Sequence, residues 1–522
     1  MTPGAGETKR AAALPPGVSR GEDAADWPPD LRRCDVVVIG SGAGGMTAAA
    51  ELAEAGFDVV VVEEGGYRET GDFTAEPSQM VSSLYRDGGA TMALGNPPIL
   101  YQEGRTVGGS TVINGGMSWR TPERVLEDWH RRSGVDRIRM RDMEPYFDRV
   151  ERRIHVSHQD EESIGRDSEL LRLGAERKGW DVIPNLRGQL HCPGSNNCAF
   201  GCPTGAKQSA LVSYLPRALH FGARVISGLR VTRILRDGKR AVGIEGKVAG
   251  PRRARRAQKL EIRADLVILA AGATQSPALL TRSGFRAPSR QLGRNLSLHP
   301  NAKVVAVYDE DVRGWEGVHQ AYQVREFEDE GLLFAAINLP PGVLAMSVPR
   351  YGAELGELLQ DYARTLVAGV LVEDTSVGRL LTGPGGWPLA TYQLGDRDAH
   401  QIVRGVRLLC DLLLESGARR ILPPFEGVGE IRDRADLDAL DPRRIPKSAM
   451  EVVTVHLMGT ARMGKDRSEA VCDSFGWVYD SDRLMICDAS LFPSPIGVNP
   501  AETVQALATR NAQHAIETWT ER

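Results

Sequence analysis

The sequence predicts an α/β protein. A Rossmann-like dinucleotide-binding domain, with a parallel sheet and a β-meander, is expected beside a second, α+β domain whose sheet is mainly antiparallel. The first domain is predicted by a strand, glycine turn, helix and strand between Cys34 and Gly65, and by similar blocks at 230–284 and from Leu484 to the C-terminus. The second is predicted by alternating segments such as Ala302–Val307 within 299–450.

The N-terminal block has the order of a mononucleotide-binding unit. Asp35–Ile39 is an almost continuous apolar run, typical of a parallel strand covered on both faces. The glycine turn Gly40–Gly45 then reads GSGAGG, a match to G-x-G-x-x-G, and the Ala-rich segment Met46–Ala55 has helical spacing. A second buried strand, Asp58–Val62, ends in Glu63. This context makes the glycine motif specific for a dinucleotide.

Glycines in such a turn let the backbone approach a pyrophosphate at the N-terminus of the helix, where free N–H groups and the helix dipole favour an anion. We therefore expect Gly40, Gly42, Ala43 and Gly45 to contact the cofactor. Glu63 is expected to accept a hydrogen bond from the ribose hydroxyls of the adenosine half. Because its charge disfavours a 2′-phosphate, FAD or NAD fits better than NADP.

Two later blocks complete the predicted domain. Val231–Leu235 and Ala241–Lys247 are strand-like and are joined through Asp237-Gly238, a hairpin signal. Lys259–Ile262 is a possible third strand of this meander, and Leu266–Ala270 is a buried strand followed by a helix. Near the C-terminus a further strand ends at Asp488, and a helix follows from Pro500. The predicted organisation is a disordered leader over 1–30, a dinucleotide-binding domain over 31–150, 205–298 and 451–522, and a substrate-binding domain over 151–204 and 299–450.

The bulk composition excludes several classes of protein. The 522-residue chain is 42% hydrophobic with a net charge of -4, which gives no electrostatic reason to expect a nucleic-acid partner. The basic run Arg252–Arg256 is interpreted as a solvated hairpin loop. No stretch reaches the about 18–20 apolar residues of a membrane span. The absence of a secretory signal and an odd cysteine count of seven predict a cytoplasmic protein without a disulfide framework.

A second glycine-rich stretch decides between the two cofactors. Gly104–Asn114 reads GRTVGGSTVIN and lies well downstream of the first block. An extended flavin dinucleotide, with an isoalloxazine ring to hold, needs a second site of close backbone approach. The sequence therefore favours FAD.

At this point the sequence resembles the glucose–methanol–choline (GMC) oxidoreductases over almost the whole chain, from about Cys34 to Glu517. The similarity rests on four segments in the family's order: Gly104–Asn114, Leu269–Pro277, His456–Gly464 and Gly497–Pro500. The resemblance implies FAD-dependent oxidation of an alcohol to a carbonyl compound. The motifs taken together predict these cofactor-binding residues: Gly40, Gly42, Ala43, Gly45, Glu63, Arg105, Gly108, Gly109, Ser110, Asn114, Gly115, Val231, Ala271, Gly272, Asp488, Ala489, Asn499 and Pro500.

His456 and Asn499 are the predicted catalytic residues, because the residues matching them meet at the substrate face of the flavin in this family. Alcohol oxidation removes the hydroxyl proton and moves a hydride from the same carbon to flavin N5. A histidine can accept that proton near neutral pH, and an amide can hold the oxygen. The alternatives are a core histidine at 456 and a helix N-cap at Asn499, which precedes Pro500. In either case the positive end of the helix from Pro500 would stabilise the anionic reduced ring if it faces the flavin pyrimidine.

Two further predictions concern the cofactors. Ile113 occupies the position at which some family members carry a histidine bonded to the flavin, so noncovalent FAD is expected. Cys192, Cys198 and Cys202 could in principle hold an iron–sulfur cluster, but their spacing does not match a four-cysteine ferredoxin run. We interpret them as ordinary thiols in a Gly/Pro loop and predict no metal site.

The predicted substrate is a primary or secondary alcohol. The sequence most resembles the oxidases and dehydrogenases of long-chain or otherwise hydrophobic alcohols, so a hydrophobic alcohol is expected. Sugars and sterols are the alternative substrates, and oxygen, a quinone or a protein is the electron acceptor. A lyase or light-driven decarboxylase on the same FAD scaffold, or a flavin-binding protein without catalysis, are the rival functions.

Overall fold

The computed structural model describes residues 14–25, 27, 29–248 and 259–521. The strands, in chain order, are β1 Val18–Arg20, β2 Arg33–Ile39, β3 Val59–Val62, β4 Thr91–Ala93, β5 Ile99–Tyr101, β6 Val156–His158, β7 Val182–Pro184, β8 Leu186–Gly188, β9 Arg224–Ser227, β10 Leu229–Asp237, β11 Arg240–Val248, β12 Lys259–Leu269, β13 Arg294–Leu296, β14 Asn301–Val307, β15 Tyr322–Val324, β16 Leu332–Ile337, β17 Thr365–Val372, β18 Gly378–Thr382, β19 Pro388–Thr391, β20 Arg420–Leu422, β21 Val452–Thr454 and β22 Leu484–Ile486. The helices are α1 Ala43–Glu54, α2 Pro77–Leu84, α3 Glu123–Ser133, α4 Met140–Arg153, α5 Arg166–Lys178, α6 Tyr214–His220, α7 Gly272–Arg282, α8 Pro341–Ala345, α9 Gly352–Gln360, α10 Asp396–Glu415 and α11 Ala501–Glu517.

The first sheet has the strand order β1-β9-β3-β2-β12-β11-β10, with β22 paired to β12. The pairs among β1, β9, β3, β2, β12 and β22 are parallel, whereas β10, β11 and β12 form an antiparallel meander. The predicted α/β fold with a parallel sheet and a β-meander is therefore confirmed. Val38 and Val61 pair across two of its central strands and are both fully buried, as parallel strands covered on both faces require.

Strand β12 is longer than the sequence predicted. The prediction divided Lys259–Ile262 from Leu266–Ala270, but the structure has one continuous strand. Residues 259–265 alternate between exposed and buried, and as far as residue 262 only β11 pairs with the strand. Residues 266–269 are buried throughout, where β2 and β22 pair with the strand on its two sides. The change of burial pattern within β12 is therefore the reason why the sequence predicted two separate strands.

The helices bring distant parts of the chain onto this sheet. Helix α1 begins directly behind β2 and lies against β3, α6 and the C-terminal helix α11. Helix α11 also packs on α4. The N-terminal cap residue of α11 is Pro500. Val504, in the first turn of α11, lies close to the first turn of α1, since a Cβ added at Gly44 would be 3.2 Å from Val504 Cγ1.

The second sheet has the order β4-β5-β21-β14-β17-β16-β15-β7, with β20 paired to β14. Its pairs are antiparallel apart from β5–β21. Helices α5 and α10 pack on it, and β13, β18 and β19 form a small separate sheet. The mainly antiparallel second domain that the sequence predicted is present.

Two of the predicted boundaries need correction. Strands β4, β5 and β21 were assigned to the dinucleotide-binding domain, but they pair into the second sheet. The disordered leader predicted for 1–30 is also wrong in part, because Val18–Arg20 pairs with β9. Val18 and Trp27 are buried and anchor this segment, with Trp27 Nε1 donating to Arg20 O at 3.0 Å. Residues 1–13 and the basic run Arg252–Arg256 lie outside the described residues.

Among the residues that the structure describes, no helix combines the length and the apolarity that crossing a lipid bilayer demands.

Candidate active site

The predicted phosphate-binding turn connects β2 to α1, and its glycines fall into two groups. A Cβ added at Gly44 would lie 1.6 Å from Cys487 O, and one at Gly45 would lie 2.0 Å from Gly40 O. These glycines let α1 pack on its neighbours. At Gly42, by contrast, the nearest atom to an added Cβ is Gly109 Cα, 3.9 Å away. The second glycine loop packs directly against this turn, since a Cβ added at Gly109 would lie 2.7 Å from Gly42 Cα.

Glu63 connects the two glycine loops. Its Oε2 accepts hydrogen bonds from Ser41 N at 3.0 Å and Ser41 Oγ at 2.7 Å, and its Oε1 accepts from Gly65 N at 2.8 Å. Ser41 Oγ in turn accepts from Gly108 N at 3.0 Å. Burial raises the pKa of the Glu63 carboxyl. Glu63 thus ties the two glycine loops together through Ser41, and its contact with the ribose remains a prediction.

The second glycine loop runs past Arg105 to Gly115. Arg105 Nε lies 3.4 Å from Glu64 Oε1, which holds the guanidinium beside the loop. Gly108 and Gly109 have φ values of +94° and +54°, which glycine adopts without strain. Ser110 Oγ accepts from Gly104 N at 3.0 Å, which closes the loop on itself. Ile113 is buried and offers no nucleophile for covalent attachment of a flavin.

The carboxyl ends of β12 and β22 lie side by side, as their parallel pairing requires. Asp488 Oδ2 accepts from Gly272 N at 2.9 Å, and its Oδ1 accepts from Ser490 N at 2.8 Å. Burial raises the pKa of the Asp488 carboxyl. The structure therefore joins the predicted pairs Ala271–Gly272 and Asp488–Ala489 at one edge of the sheet, while Val231 lies buried in β10.

His456 and Asn499 meet, although 43 positions separate them in the sequence. His456 follows β21, and its backbone N–H donates to Thr454 Oγ1 at 3.1 Å. Its Nε2 lies 3.4 Å from the Asn499 side-chain amide. The cap residue of α11 is Pro500, so the Asn499 side chain does not cap this helix. Asn499 Oδ1 is buried and has no protein partner within the described part of the chain. The Asn499 Oδ1 atom is thus left available to accept a hydrogen bond from a ligand.

His299, which the sequence analysis did not identify, lies on the other side of His456. The two Nδ1 atoms are 3.2 Å apart, and His299 Nε2 accepts backbone N–H bonds from Ile496 at 3.2 Å and Gly497 at 3.1 Å. Burial lowers the pKa of His456 to about 4 and the pKa of His299 well below its ordinary value. Both imidazoles are therefore neutral near pH 7. A histidine before Pro300 at a predicted domain boundary belongs to no motif, so no local signal marked it.

The three clustered cysteines are free thiols. Cys198 and Cys202 are buried and Cys192 is half-buried. Across the described ranges, no group of three or more His, Cys, Asp or Glu side chains has the arrangement of a metal site.

Comparison with known protein families gives three matches along the chain. Residues 81–301 and 387–508 match profiles described as GMC oxidoreductase, and residues 35–78 match one described as FAD binding domain. An uncharacterized GMC-type oxidoreductase of Mycobacterium tuberculosis is 36% identical over 94% of this chain and 76% of its own length. The long-chain-alcohol oxidase FAO1 of Arabidopsis thaliana is 28% identical over 91% of this chain, which spans 65% of that protein.

Solved structures share the fold. Pyridoxine 4-oxidase from Mesorbium loti superposes with a TM-score of 0.70 at 19% identity, covering 93% of this chain and 99% of its own. A variant formate oxidase of Aspergillus oryzae RIB40 has a TM-score of 0.71 at 16% identity, covering 94% and 99%.

Proposed function

The chain belongs to the GMC oxidoreductase family and is an FAD-dependent oxidoreductase acting on CH–OH groups, and from this premise we propose that it oxidises a hydrophobic primary or secondary alcohol to the aldehyde or ketone at His456 and Asn499. The observation that supports this most strongly is the 3.4 Å approach of His456 Nε2 to the Asn499 amide. A hydroxyl oxygen bound at that point can contact both side chains at once.

FAD fits the residues that are present. Gly42 and Gly109 lie backbone against backbone, and a Cβ added at Gly42 would meet nothing closer than 3.9 Å. The N-terminus of α1, where no side chain caps the helix, is therefore free of side chains where a pyrophosphate would bind. Glu63 stands at the end of β3, where an adenosine ribose is bound in folds of this kind. When bound, the flavin supplies the acceptor for the hydride that leaves the alcohol carbon.

The side chains then have separate roles. His456 is uncharged near pH 7, so its Nε2 can take the hydroxyl proton once the ring's own proton lies on Nδ1. The Asn499 amide holds the alcohol oxygen and orients the carbon. His456 is buried and Asn499 is half-buried, which limits the access of water and strengthens both interactions. Pro500 and the first turn of α11 present the positive end of a helix to the same region.

The hydrophobic substrate class is supported by the long-chain-alcohol oxidases of Arabidopsis thaliana among the relatives, which are 27–29% identical to this chain. Sugars and sterols are the second class of substrate to test. The electron acceptor is proposed to be oxygen, a quinone or a protein.

The decisive experiment mixes the holoenzyme anaerobically, in the dark, with a panel of alcohols that includes long-chain, sugar and sterol members. A long-chain alcohol should bleach the flavin absorbance, and reoxidation by air or by a quinone then identifies the acceptor. If only sugars or sterols bleach it, the substrate class is wrong. If none of them does, the alcohol-oxidising role is wrong, and a lyase or a light-driven decarboxylase becomes the better hypothesis.

A further inference from the structure

Two buried cations lie directly behind the second glycine loop. Lys207 is 5% exposed, and its ammonium donates to three backbone carbonyls, those of Val112 at 2.7 Å, Asn114 at 2.8 Å and Cys198 at 2.6 Å. Arg187 is 2% exposed and donates through Nη2 to Gly115 O at 2.7 Å. Both side chains therefore hold the loop segment 112–115 from one side.

Neither cation has a carboxylate partner among the residues that the structure describes. Carbonyl oxygens accept from Lys207 Nζ and from both terminal nitrogens of Arg187, whose Nε has no partner among the described residues. They do not neutralise either charge. The titratable groups that face them are the thiols of Cys192, Cys198 and Cys202, while burial keeps nearby His319 neutral by lowering its pKa to about 3. A buried charge without a counter-ion is costly and is found where it has a use.

The position of Arg187 and Lys207 in the fold indicates what their positive charges do. Asn114, Gly116 and Lys207 line one small cavity together with Ala501 and Gln505, which belong to the first two turns of α11. The residue pair Asn499–Pro500 immediately precedes that helix. The cations therefore lie behind the wall formed by the loop that is predicted to contact the flavin, near the helix end that follows the catalytic pair.

We infer that Arg187 and Lys207 stabilise the negative charge that the flavin gains on reduction. A hydride carries two electrons and one proton, so a neutral oxidised ring that accepts it acquires one negative charge. Two fixed positive charges in a site shielded from water favour that product over the oxidised ring. This inference depends on FAD binding and is independent of the identity of the alcohol.

Sulfite provides the direct test, because it adds to an oxidised flavin to give a bleached, negatively charged adduct without any alcohol. The measurement is a sulfite titration of each FAD-loaded variant. We expect Lys207→Met to bind sulfite at least about tenfold more weakly than the wild type. A tenfold weaker two-electron reduction corresponds to a potential about 30 mV lower, which a dye-equilibration measurement can detect.

Charge-keeping and surface variants separate charge from structure. Lys207→Arg should bind sulfite almost as the wild type does, and so should Lys239→Met, which removes one positive charge at an exposed position. Wild-type affinity in Lys207→Met would overturn the inference. Equal losses in Lys207→Met and Lys207→Arg would overturn it as well, because loop geometry rather than charge would then be responsible.

Arg187 offers an independent arm if Lys207→Met does not retain FAD. Arg187→Gln should weaken sulfite binding, and Arg187→Lys should restore it.

If neither neutral variant holds FAD, the pH dependence of the flavin potential in the wild-type protein provides the test. Burial lowers the pKa of Lys207 to about 8, so the flavin potential should fall more steeply with pH above that value. An unchanged slope through that range would overturn the inference.

Discussion

His299 and His456 face each other through their Nδ1 atoms, 3.2 Å apart. One of the two nitrogens must donate and the other must accept. The backbone N–H groups of Ile496 and Gly497 both point at His299 Nε2, so that atom carries no proton. A neutral His299 therefore has its proton on Nδ1 and donates it to His456. The remaining proton of His456 lies on Nε2. The Asn499 atom that faces this nitrogen at 3.4 Å is the donor Nδ2, so the tautomer requires the amide to turn its acceptor Oδ1 toward Nε2.

We predict that ¹⁵N NMR of histidine-labelled protein will show His456 as the Nε2–H tautomer in the resting enzyme, with its signals assigned by their loss in His456→Gln. His456 can act as a base only after its proton moves to Nδ1. That exchange breaks the two backbone hydrogen bonds of His299, which are worth about 1 kcal/mol each. A resting Nδ1–H tautomer would contradict the inferred pattern and would make His456 a ready proton acceptor.

His456→Ala should retain FAD but slow flavin reduction by an alcohol at least about a hundredfold, the usual contribution of a general base. Stopped-flow reduction under anaerobic conditions measures this rate directly. His400→Ala, at an exposed position of α10, is the matched control and should reduce at the wild-type rate. Wild-type kinetics in His456→Ala would remove this residue from the mechanism.

The pH dependence of flavin reduction should reflect the burial of His456. A base works in its unprotonated form, and burial lowers the pKa of His456 to about 4. The rate attributed to His456 should therefore be flat from neutral pH down to about pH 5 and should fall as the pH decreases through about 4. A break near the ordinary histidine pKa of about 6.5 would show that the imidazole is not desolvated in the holoenzyme.

His456 should also destabilise the fold in acid. Its folded pKa is below its unfolded pKa, so the unfolded chain binds more protons as the pH falls from about 6.5 to about 4. A displacement of this size corresponds to about 3 kcal/mol. His456→Ala should therefore lose less unfolding free energy between pH 7.5 and pH 4 than the wild type does. Urea unfolding at both pH values measures the difference, and parallel losses in the two proteins would contradict it.

The parts of the fold that were predicted correctly carry local signals. The glycine turn after β2, the Asp237-Gly238 hairpin and the motif around His456 are each encoded by neighbouring residues. What the sequence did not reveal depends on contacts between distant residues. Strand β5 joins the second sheet because Leu100 pairs with Val453, and three-residue β1 becomes ordered because β9 accepts it as a neighbour.

The same distinction applies to the active site. His456 and Asn499 were predicted because each lies in a motif, although their contact is made only in the folded chain. His299 and Lys207 act through partners that are remote in sequence, namely His456 and the carbonyl groups of the second glycine loop. A single histidine or lysine gives no periodicity or spacing from which such a partner can be inferred. Sequence patterns therefore identified the residues that lie in motifs better than the residues that contact them from remote parts of the chain.

The glycine turn provides the last prediction, because two of its glycines should fail in different ways. An alanine methyl at Gly42 meets only Gly109 Cα at 3.9 Å, and its backbone angles suit any residue. Gly42→Ala should leave the thermal stability of the apoprotein within about 0.5 kcal/mol of the wild type. It should bind FAD at least about tenfold more weakly, because the methyl occupies the space of the pyrophosphate. Wild-type FAD affinity in Gly42→Ala, measured by flavin fluorescence, would mean that the pyrophosphate binds elsewhere.

Gly44→Ala, in contrast, should prevent folding, since its methyl would overlap Cys487 O.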